Sequence, residues 1–317
     1  MKKAQEQPGK KSFGRWILIG AMVVIALVIC LIIVGVVVTL FTGSGISYGT
    51  GNIALIPING EIVSEESSGL FSSQAAASST IIDEIEKADK DSGIKAIVLE
   101  IDSPGGEVVP SDEIAAAVKK ANKTTVAWIR GTGASGAYWV ASAADHIVAH
   151  RLSITGSVGV TGSYIEFAGL LERFNMTYQQ LAAGKYKEVG SPYEELTSEQ
   201  RGFLLKIIDA IQKDFLDNVA ANRNLTPEQV KNISTAAFYL GSDAKQLGLV
   251  DELGGKEEVL AYLKKEINAT PELVSYEKKK GLLDMFRAMV SQNFYAMGAS
   301  FREGMLSSQS QEAQIKT

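Results

Sequence analysis

The amino-acid sequence predicts an α/β protein with a parallel sheet, joined to an N-terminal transmembrane helix. Apolar runs typical of buried strands alternate with segments of helical periodicity, and one uncharged stretch near the N-terminus is long enough to cross a membrane. The chain has 317 residues, 46% of them hydrophobic, so it can bury the core of one large or two small soluble units.

The predicted transmembrane helix spans residues 16–41, which contain no charged side chain. At about 1.5 Å per residue, this helix would measure about 39 Å, longer than the hydrocarbon core of about 30 Å. A cleavable signal peptide would have a shorter apolar region, followed by a small-x-small site that is not evident here. We therefore expect an uncleaved anchor between a basic tail, residues 1–15, and a Gly/Ser linker, residues 42–51.

The distribution of charge predicts the orientation of this anchor. Residues 1–15 carry a net charge of +4 and residues 42–317 carry −9. The positive-inside rule places the N-terminus in the cytoplasm and the acidic part outside the cell membrane, which argues against a nucleic-acid partner. The single cysteine, Cys30, lies in the predicted span, and the chain has two histidines. A disulfide, a thiol nucleophile and a Cys- or His-rich metal site are therefore excluded outside the membrane, and no cofactor is expected.

Four apolar runs in the exported part are predicted to be strands. A polar segment over residues 64–79 follows the first of them and is predicted to be a loop. Strands that alternate with helices of about a dozen residues indicate βαβ units with right-handed crossovers. The predicted strands are 52–60, 94–101, 124–130 and 146–150.

Helices are predicted where apolar residues recur with a helical period. Thr197 and Thr226 are predicted N-caps, and Pro227 follows the second of them at the first helical position. The segment 281–303 is amphipathic, and the polar tail 304–317 is expected to be loose. The predicted helices are 81–88, 114–121, a short helix ending at Ala144, 197–223, one beginning after Thr226, and 256–267.

Ser135 is the candidate nucleophile, within the run GTGASGAYWVASAAD at residues 131–145. Close packing of a helix start against other elements would explain why its neighbours are small. A serine in such a turn also suits acyl transfer, because the turn exposes the hydroxyl and the following N–H can donate to an oxyanion. A serine nucleophile further needs a base.

The two histidines are poor candidates for this base. Neither precedes Ser135, which excludes the residue orders of chymotrypsin and subtilisin, and Gly-Ala-Ser-Gly-Ala departs from G-x-S-x-G. The α/β-hydrolase order would place Asp145 and either His146 or His150 on one short strand, a poor geometry for a triad. A Ser…His…Asp order with one of these histidines stays open, although both suit an ordinary strand.

Lysine is the other candidate base. A lysine acts as a base only if its pKa falls from about 10.4 toward 7–8, which burial among apolar groups can cause. Lys185 and Lys187 flank Tyr186 in the segment LAAGKYKEVGSPY, residues 181–193. If this segment is extended, both lysines point to the same face, so composition does not choose between them. Solvated lysines on an edge strand are the simpler explanation.

Four motifs, in their order and spacing, resemble signal peptide peptidase A, a family of membrane-anchored serine proteases with the ClpP/crotonase superfold. The likeness covers about residues 50–265 and is greatest to the short form of Gram-positive bacteria. It implies repeated ββα units with parallel sheets over a protease domain, 52–270, followed by a C-terminal amphipathic helix and polar tail, 271–317. The motifs are IDSPGG (101–106), GTGASGAYWVASAAD (131–145), ITGSVGV (154–160) and GKYKEVGSPYEELT (184–197).

The resemblance implies a Ser–Lys dyad. Ser135 matches the family's nucleophile and Lys187 its general base, which leaves Lys185 as an ordinary surface lysine. Ser157 matches the hydroxyl that holds the lysine in place.

The resemblance also implies an oxyanion hole. The turn that contains Gly105 and Gly106 matches the segment whose backbone forms this hole together with the N–H of Gly136. The family usually has Ser-Gly-Gly-Tyr-Tyr at the nucleophile, whereas Ala137 and Trp139 stand at the third and fifth places here. The extra methyl group is expected to alter the pocket without abolishing the chemistry.

The family's substrates and assembly imply partners for this chain. Its members degrade signal peptides left in the membrane and other unfolded apolar peptides. They form a dome-like homo-oligomeric ring, such as an octamer, in which Ser135 would meet Lys187 of the next subunit. An amphipathic segment at 281–303 has an apolar face that such a partner could bury, and the tail 304–317 is a candidate self-substrate.

Three other functions are compatible with parts of this pattern. A crotonase-type acyl-CoA enzyme shares the glycine-rich oxyanion turn, but its substrates are cytosolic. A related membrane ClpP-class protease would apply the same chemistry to a dedicated membrane-protein substrate. A catalytically inactive membrane scaffold is the third, and the presence of Ser135, Ser157 and Lys187 argues against it.

Overall fold

The computed structural model describes residues 51–65 and 75–276, together with seven helical positions between residues 20 and 34. The amphipathic segment at 281–303 and most of the proposed anchor at 16–41 fall outside these residues. Among the residues described, no helix is long and apolar enough to cross a membrane. The transmembrane helix and the C-terminal helix therefore stay predictions.

The described residues of the main domain form ten strands. They are β1 (Ile53–Asn59), β2 (Glu61–Val63), β3 (Ala75–Ala77), β4 (Ala96–Ser103), β5 (Thr124–Ala134), β6 (His146–Ala149), β7 (Ile154–Gly156), β8 (Phe238–Leu240), β9 (Glu252–Leu253) and β10 (Leu273–Ser275).

A parallel sheet lies at the centre of the domain. Its strands follow the order β10-β1-β4-β5-β6-β9, and all neighbouring pairs are parallel. Near its carboxyl end β5 also pairs with β7, to which β8 adds in antiparallel orientation. A separate small sheet joins β2 and β3. The structure thus confirms an α/β protein with a mostly parallel sheet, while the ClpP/crotonase assignment stays an inference from resemblance.

Eight helices accompany these strands in the described domain. They are α1 (Ser78–Lys90), α2 (Val108–Lys120), α3 (Gly136–Ser142), α4 (Ala168–Arg173), α5 (Ser198–Arg223), α6 (Pro227–Ile233), α7 (Gly241–Gln246) and α8 (Lys256–Glu266).

Side chains alternate between two apolar layers along the central strands. In β4, Ile97 and Leu99 belong to the larger core, together with Ile81 of α1 and Ile114 of α2. Val98, between them, belongs to a smaller cluster that includes Val259 and Leu263 of α8. The strand is therefore buried on both faces, which explains why its sequence is a continuous apolar run.

Most predicted elements are confirmed, including both N-caps. The Thr197 hydroxyl accepts the N–H of Gln200 at 3.2 Å, and the Gln200 side chain accepts the N–H of Thr197 at 3.0 Å. The predicted loop at 64–79 is wrong in its last part, because Ala75–Ala77 forms β3 and α1 begins at Ser78. Alanine has little strand propensity of its own, so pairing with β2 determines this conformation.

An ion pair between a buried arginine and a partly exposed aspartate attaches α5 to the sheet. Arg223, whose side chain is 8% exposed, donates from Nη1 to Asp251 at 3.0 Å and from Nη2 to the same carboxylate at 2.5 Å. The carboxylate also accepts the N–H of Ile147 in β6 at 2.8 Å. Burial opposes ionisation of Asp251, but these hydrogen bonds and the positive charge of Arg223 outweigh it and lower the pKa of Asp251.

Replacement of this carboxylate is expected to destabilise the domain. Asp251→Asn leaves Arg223 buried without its counter-charge and should lower the free energy of unfolding at pH 7 by about 2–3 kcal/mol. Because the folded-state pKa of Asp251 is lowered, its stabilisation is complete above the unfolded value of about 3.9 and is lost as the pH falls through the folded value. The difference between wild type and variant should therefore shrink below about pH 4, measured by chemical denaturation.

Asp217→Asn is the matched control, since it breaks the exposed Lys213–Asp217 pair on the same helix. It should leave the denaturation midpoint unchanged. Equal midpoints for Asp251→Asn and wild type would contradict the role assigned to the buried pair.

Candidate active site

Ser135 lies in a strained turn between β5 and α3. Its φ of 53° and ψ of −127° fall in a region that residues other than glycine rarely occupy, at a cost of about 1–3 kcal/mol. Three hydrogen bonds hold the turn: the Ser135 N–H donates to Gly156 O at 2.9 Å, and its carbonyl accepts the N–H groups of Tyr138 and Trp139. The side chain is half-buried, and its hydroxyl makes no hydrogen bond to the described residues. This strand–turn–helix geometry suits a nucleophile.

The backbone of the turn after β4 touches the start of α3. A Cβ built on Gly105 would lie 2.7 Å from the nitrogen of Gly136 and 2.9 Å from Cβ of Ser135, and Gly105 has a φ of +99°. A Cβ on Gly136 would lie 2.2 Å from Oγ of Ser111 and 3.4 Å from the nitrogen of Gly106. A side chain at Gly105 would push the turn away from α3, so glycine is required there by contact as well as by conformation, whereas a side chain at Gly136 would collide with Ser111 of α2.

The two glycines of the turn differ in the state of their N–H groups. The N–H of Gly105 donates to the buried hydroxyl of Ser103 at 3.1 Å. Gly106 forms a parallel bridge with Ile62. The N–H of Ile62 donates to Gly105 O, and the carbonyl of Ile62 accepts the N–H of Glu107. The N–H of Gly106 therefore points to the opposite side, away from Ile62. Within the described chain the N–H groups of Gly106 and Gly136 make no hydrogen bond.

Gly106 and Gly136 therefore offer the two free donors beside Ser135, and Gly105 contributes its lack of a side chain. Ser103, for which the sequence predicted no role, orients this turn from within IDSPGG. The spacing within that motif could have indicated this role, because the hydroxyl of a serine can accept the N–H of the residue two positions later. Two unpaired backbone donors close to a half-buried serine can stabilise the oxyanion of an acyl transfer.

Ser157 lies beside this centre, one residue after the hydrogen-bond partner of Ser135. It also has a positive φ, 52°, and its N–H donates to Ala237 O at 2.8 Å. Pairing of Gly156 with Ala134 holds it there, supported by a 2.6 Å hydrogen bond from the buried Thr155 hydroxyl to Gly133 O. The structure thus brings Ser135, Ser157 and the glycines together.

Lys187 is not joined to Ser135 within one chain. It lies exposed in a series of turns, where its N–H donates to Gly184 O at 3.1 Å, so the extended conformation considered for this segment is wrong. Across the described residues its side chain has neither a hydrogen bond nor an ion pair. Lys185, in contrast, pairs with Glu199 at 2.5 Å.

The histidines lie too far along the sheet to serve Ser135 of the same chain. His146 pairs in register with Val126, and the strand from Val126 to Ser135 covers nine residues, about 30 Å at 3.3 Å per residue. His146 instead stacks on Tyr262 with ring centroids 3.9 Å apart. The backbone N–H of His150 donates to the carbonyl of Ile129. By the same measure, Ile129 lies about 20 Å before Ser135 along the strand. The Ser…His…Asp alternative therefore has no support within the chain.

Comparison with known proteins connects this site to proteases. The model of "Peptidase family S49" matches residues 117–270, a range that contains Ser135, Ser157 and Lys187. A relative from Methanocaldococcus jannaschii, named as a putative protease, is 36% identical over 245 residues, which cover 75% of this chain and 79% of the relative.

Two bacterial relatives agree with this match. One, from Enterococcus faecium, is named a putative signal peptide peptidase and is 32% identical over 70% of this chain and 65% of its own length. The other is "Protease 4" of Salmonella typhi, 34% identical over 67% of this chain and 34% of its own length.

The mostly parallel α/β fold, the serine in its strained turn and these relatives together define a protease. The chain belongs to peptidase family S49.

A side chain at Gly105 is expected to disrupt the centre. Gly105→Ala would place a methyl group 2.7 Å from the nitrogen of Gly136, at a φ that alanine rarely adopts, so the turn must move away from α3. The rate at which a fluorophosphonate probe labels Ser135 should fall by about tenfold or more. Mass spectrometry of the labelled peptide measures this rate.

Gly169→Ala in α4 is the matched control, because a Cβ there would meet no atom within 4 Å. It should be labelled at the wild-type rate. Wild-type labelling of Gly105→Ala would contradict the contact between the turn and α3 as a requirement of the site.

Proposed function

We propose that this protein is a membrane-anchored serine endopeptidase in which Ser135 and Lys187 form the catalytic dyad. It degrades remnant signal peptides and other unstructured apolar peptides at the outer face of the membrane. The observation that carries this proposal is the half-exposed hydroxyl of Ser135 in a strained turn, beside the unpaired N–H groups of Gly106 and Gly136. The name of the Enterococcus faecium relative supports the substrate class.

In the proposed mechanism, Oγ of Ser135 attacks the scissile carbonyl carbon while Nζ of Lys187 takes its proton. The negative charge that develops on the carbonyl oxygen accepts hydrogen bonds from the N–H groups of Gly106 and Gly136. Lys187 then returns the proton to the leaving amine as the C–N bond breaks. Water attacks the acyl carbon while Lys187 takes one of its protons, and Lys187 returns that proton to Oγ of Ser135 as the ester bond breaks and the acid leaves. The hydroxyl of Ser157 orients the lysine.

An adjacent subunit is the proposed source of the base. Lys187 has no side-chain hydrogen bond or ion pair within the described chain, and the surrounding segment exposes much apolar surface. Leu181 is 97% exposed, and several neighbours are more than half exposed: Ile165, Leu170, Phe174 and Met176. So many exposed apolar side chains in one segment indicate an interaction site, and a ring of identical chains would bury them while bringing Lys187 to the next Ser135.

Single substitutions test the dyad in the full chain, purified in mild detergent and supplied with an unstructured apolar peptide. Ser135→Ala and Lys187→Ala should each lower kcat/KM by about a thousandfold or more, because the two residues act as one unit. Lys185→Ala and the double change His146→Ala with His150→Ala should retain most of the activity. Cleavage that survives Lys187→Ala but is lost without the histidines would refute the mechanism.

Mixed assemblies test whether the dyad is shared between subunits. Ser135→Ala chains supply an intact lysine and Lys187→Ala chains an intact serine. An equal mixture, unfolded and reassembled together, should recover about a quarter of wild-type activity, since half of the serines are intact and half of their neighbours supply a lysine. Separately reassembled samples that are combined afterwards provide the baseline. A mixture as inactive as this baseline would refute a shared dyad.

A further inference from the structure

Tyr186, which precedes Lys187, is attached to the first turns of α5. Its ring stacks on Phe203 with centroids 4.6 Å apart and an angle of 9° between the planes. Its hydroxyl donates to Oε1 of Glu199 at 2.9 Å, and Nζ of Lys185 contacts the same oxygen. We call Lys185, Tyr186, Glu199 and Phe203 the anchor cluster. A ring stack and a hydrogen bond thus attach Tyr186, the residue before the proposed base, to α5.

The rest of this segment offers little else to hold it in place. Gly184 and Gly190, with φ of +107° and +84°, stand on either side, and a Cβ on either would meet no atom within 4 Å. Among the described side chains of residues 184–190, only those of Lys185 and Tyr186 make a hydrogen bond, an ion pair or a ring contact to a helix. The position of Lys187 relative to the protein therefore depends on its neighbour.

The helix that receives Tyr186 is itself firmly attached to the protease domain. Phe215, further along α5, stacks on Trp139 of α3 with centroids 4.4 Å apart and 9° between the planes, and Trp139 lies four residues after the nucleophile. Arg223, at the end of α5, is paired with Asp251. Contacts through rigid elements thus extend from the nucleophile helix to Tyr186.

The anchor cluster also separates the roles of the two lysines. The hydrogen bond and the negative charge of Glu199 raise the pKa of Lys185, so that it stays a cation. Lys185 is committed to Glu199, whereas Lys187 is left free to meet a hydroxyl outside its own segment. An exposed ion pair contributes little by itself, so the stacked ring is expected to be the main attachment.

We infer that Tyr186, stacked on Phe203 and bonded to Glu199, is a positioning residue that holds Lys187 in the geometry needed for proton transfer. This inference rests on the proposed Ser–Lys mechanism. It differs from a general role in stability, because removal of the ring should slow the chemical step without weakening the binding of substrate.

Steady-state cleavage of an unstructured apolar peptide by the full chain in detergent tests the inference. Tyr186→Ala should lower kcat by about tenfold to a hundredfold and change KM by less than about twofold, because the misplaced base affects the reaction after binding. Tyr186→Phe keeps the ring and should retain most of kcat. Asp217→Asn, which breaks the exposed Lys213–Asp217 pair on α5, is the control and should match wild type.

Several outcomes would overturn the inference. The first is a kcat of Tyr186→Ala equal to that of Asp217→Asn, and the second is a fall in kcat that is equally large in Tyr186→Phe. The third is a rise in KM with kcat unchanged. The fourth is a loss of assembly, measured by sedimentation, that accounts for the lost activity. Should Tyr186→Ala fail to fold, Phe203→Leu removes the stack from the other side and is subject to the same criteria. Lys187→Ala separates the two proposals. If it keeps full activity, the Ser–Lys mechanism is refuted; if it is inactive while Tyr186→Ala is normal, only the positioning role is refuted.

Discussion

The structure around Ser135 depends on one steric constraint, the direct contact between the backbone after β4 and the first residue of α3. Parallel pairing of β4 with β5 brings the carboxyl ends of the two strands side by side. Glycine at position 105 lets the turn touch the start of α3, and glycine at position 136 leaves room for Ser111 of α2, so that Gly106 and Gly136 lie close to each other. The hydroxyl, the donors and the strained turn all derive from that contact.

Maintaining this arrangement is costly, and the surrounding protein supplies the compensation. An unfavourable backbone at Ser135 and the N–H of the buried Gly136, which has no partner among the described residues, both reduce stability. Against them stand a sheet buried on both faces and α3, whose seven residues are all buried. The stack of Trp139 on Phe215 adds attachment to α5. A rigid core thus supports a local geometry that would not persist alone.

The sequence predicted those parts that local patterns determine. Continuous apolar runs identified the central strands, Thr197 identified the start of α5, and small neighbours identified Ser135. Contacts distant in the chain could not be predicted: alanines became β3 through their pairing with β2, and Ser103 orients Gly105 inside the fold. The proposed base was hardest to predict, because composition does not distinguish Lys185 from Lys187. Lys185 pairs with Glu199 only once α5 is in place, and in the described residues Lys187 has no such pair.

The bridge between Ile62 and Gly106 connects the proposed oxyanion donor to the two-stranded sheet of β2 and β3. Such a sheet has few hydrogen bonds and is marginal by itself, so it opens more readily than the strands of the central sheet. Each opening releases the hydrogen bonds of Ile62 to Gly105 O and to Glu107. We therefore expect the two donors to lose their arrangement at a lower temperature than the one at which the core melts, so that heat inactivation precedes global unfolding.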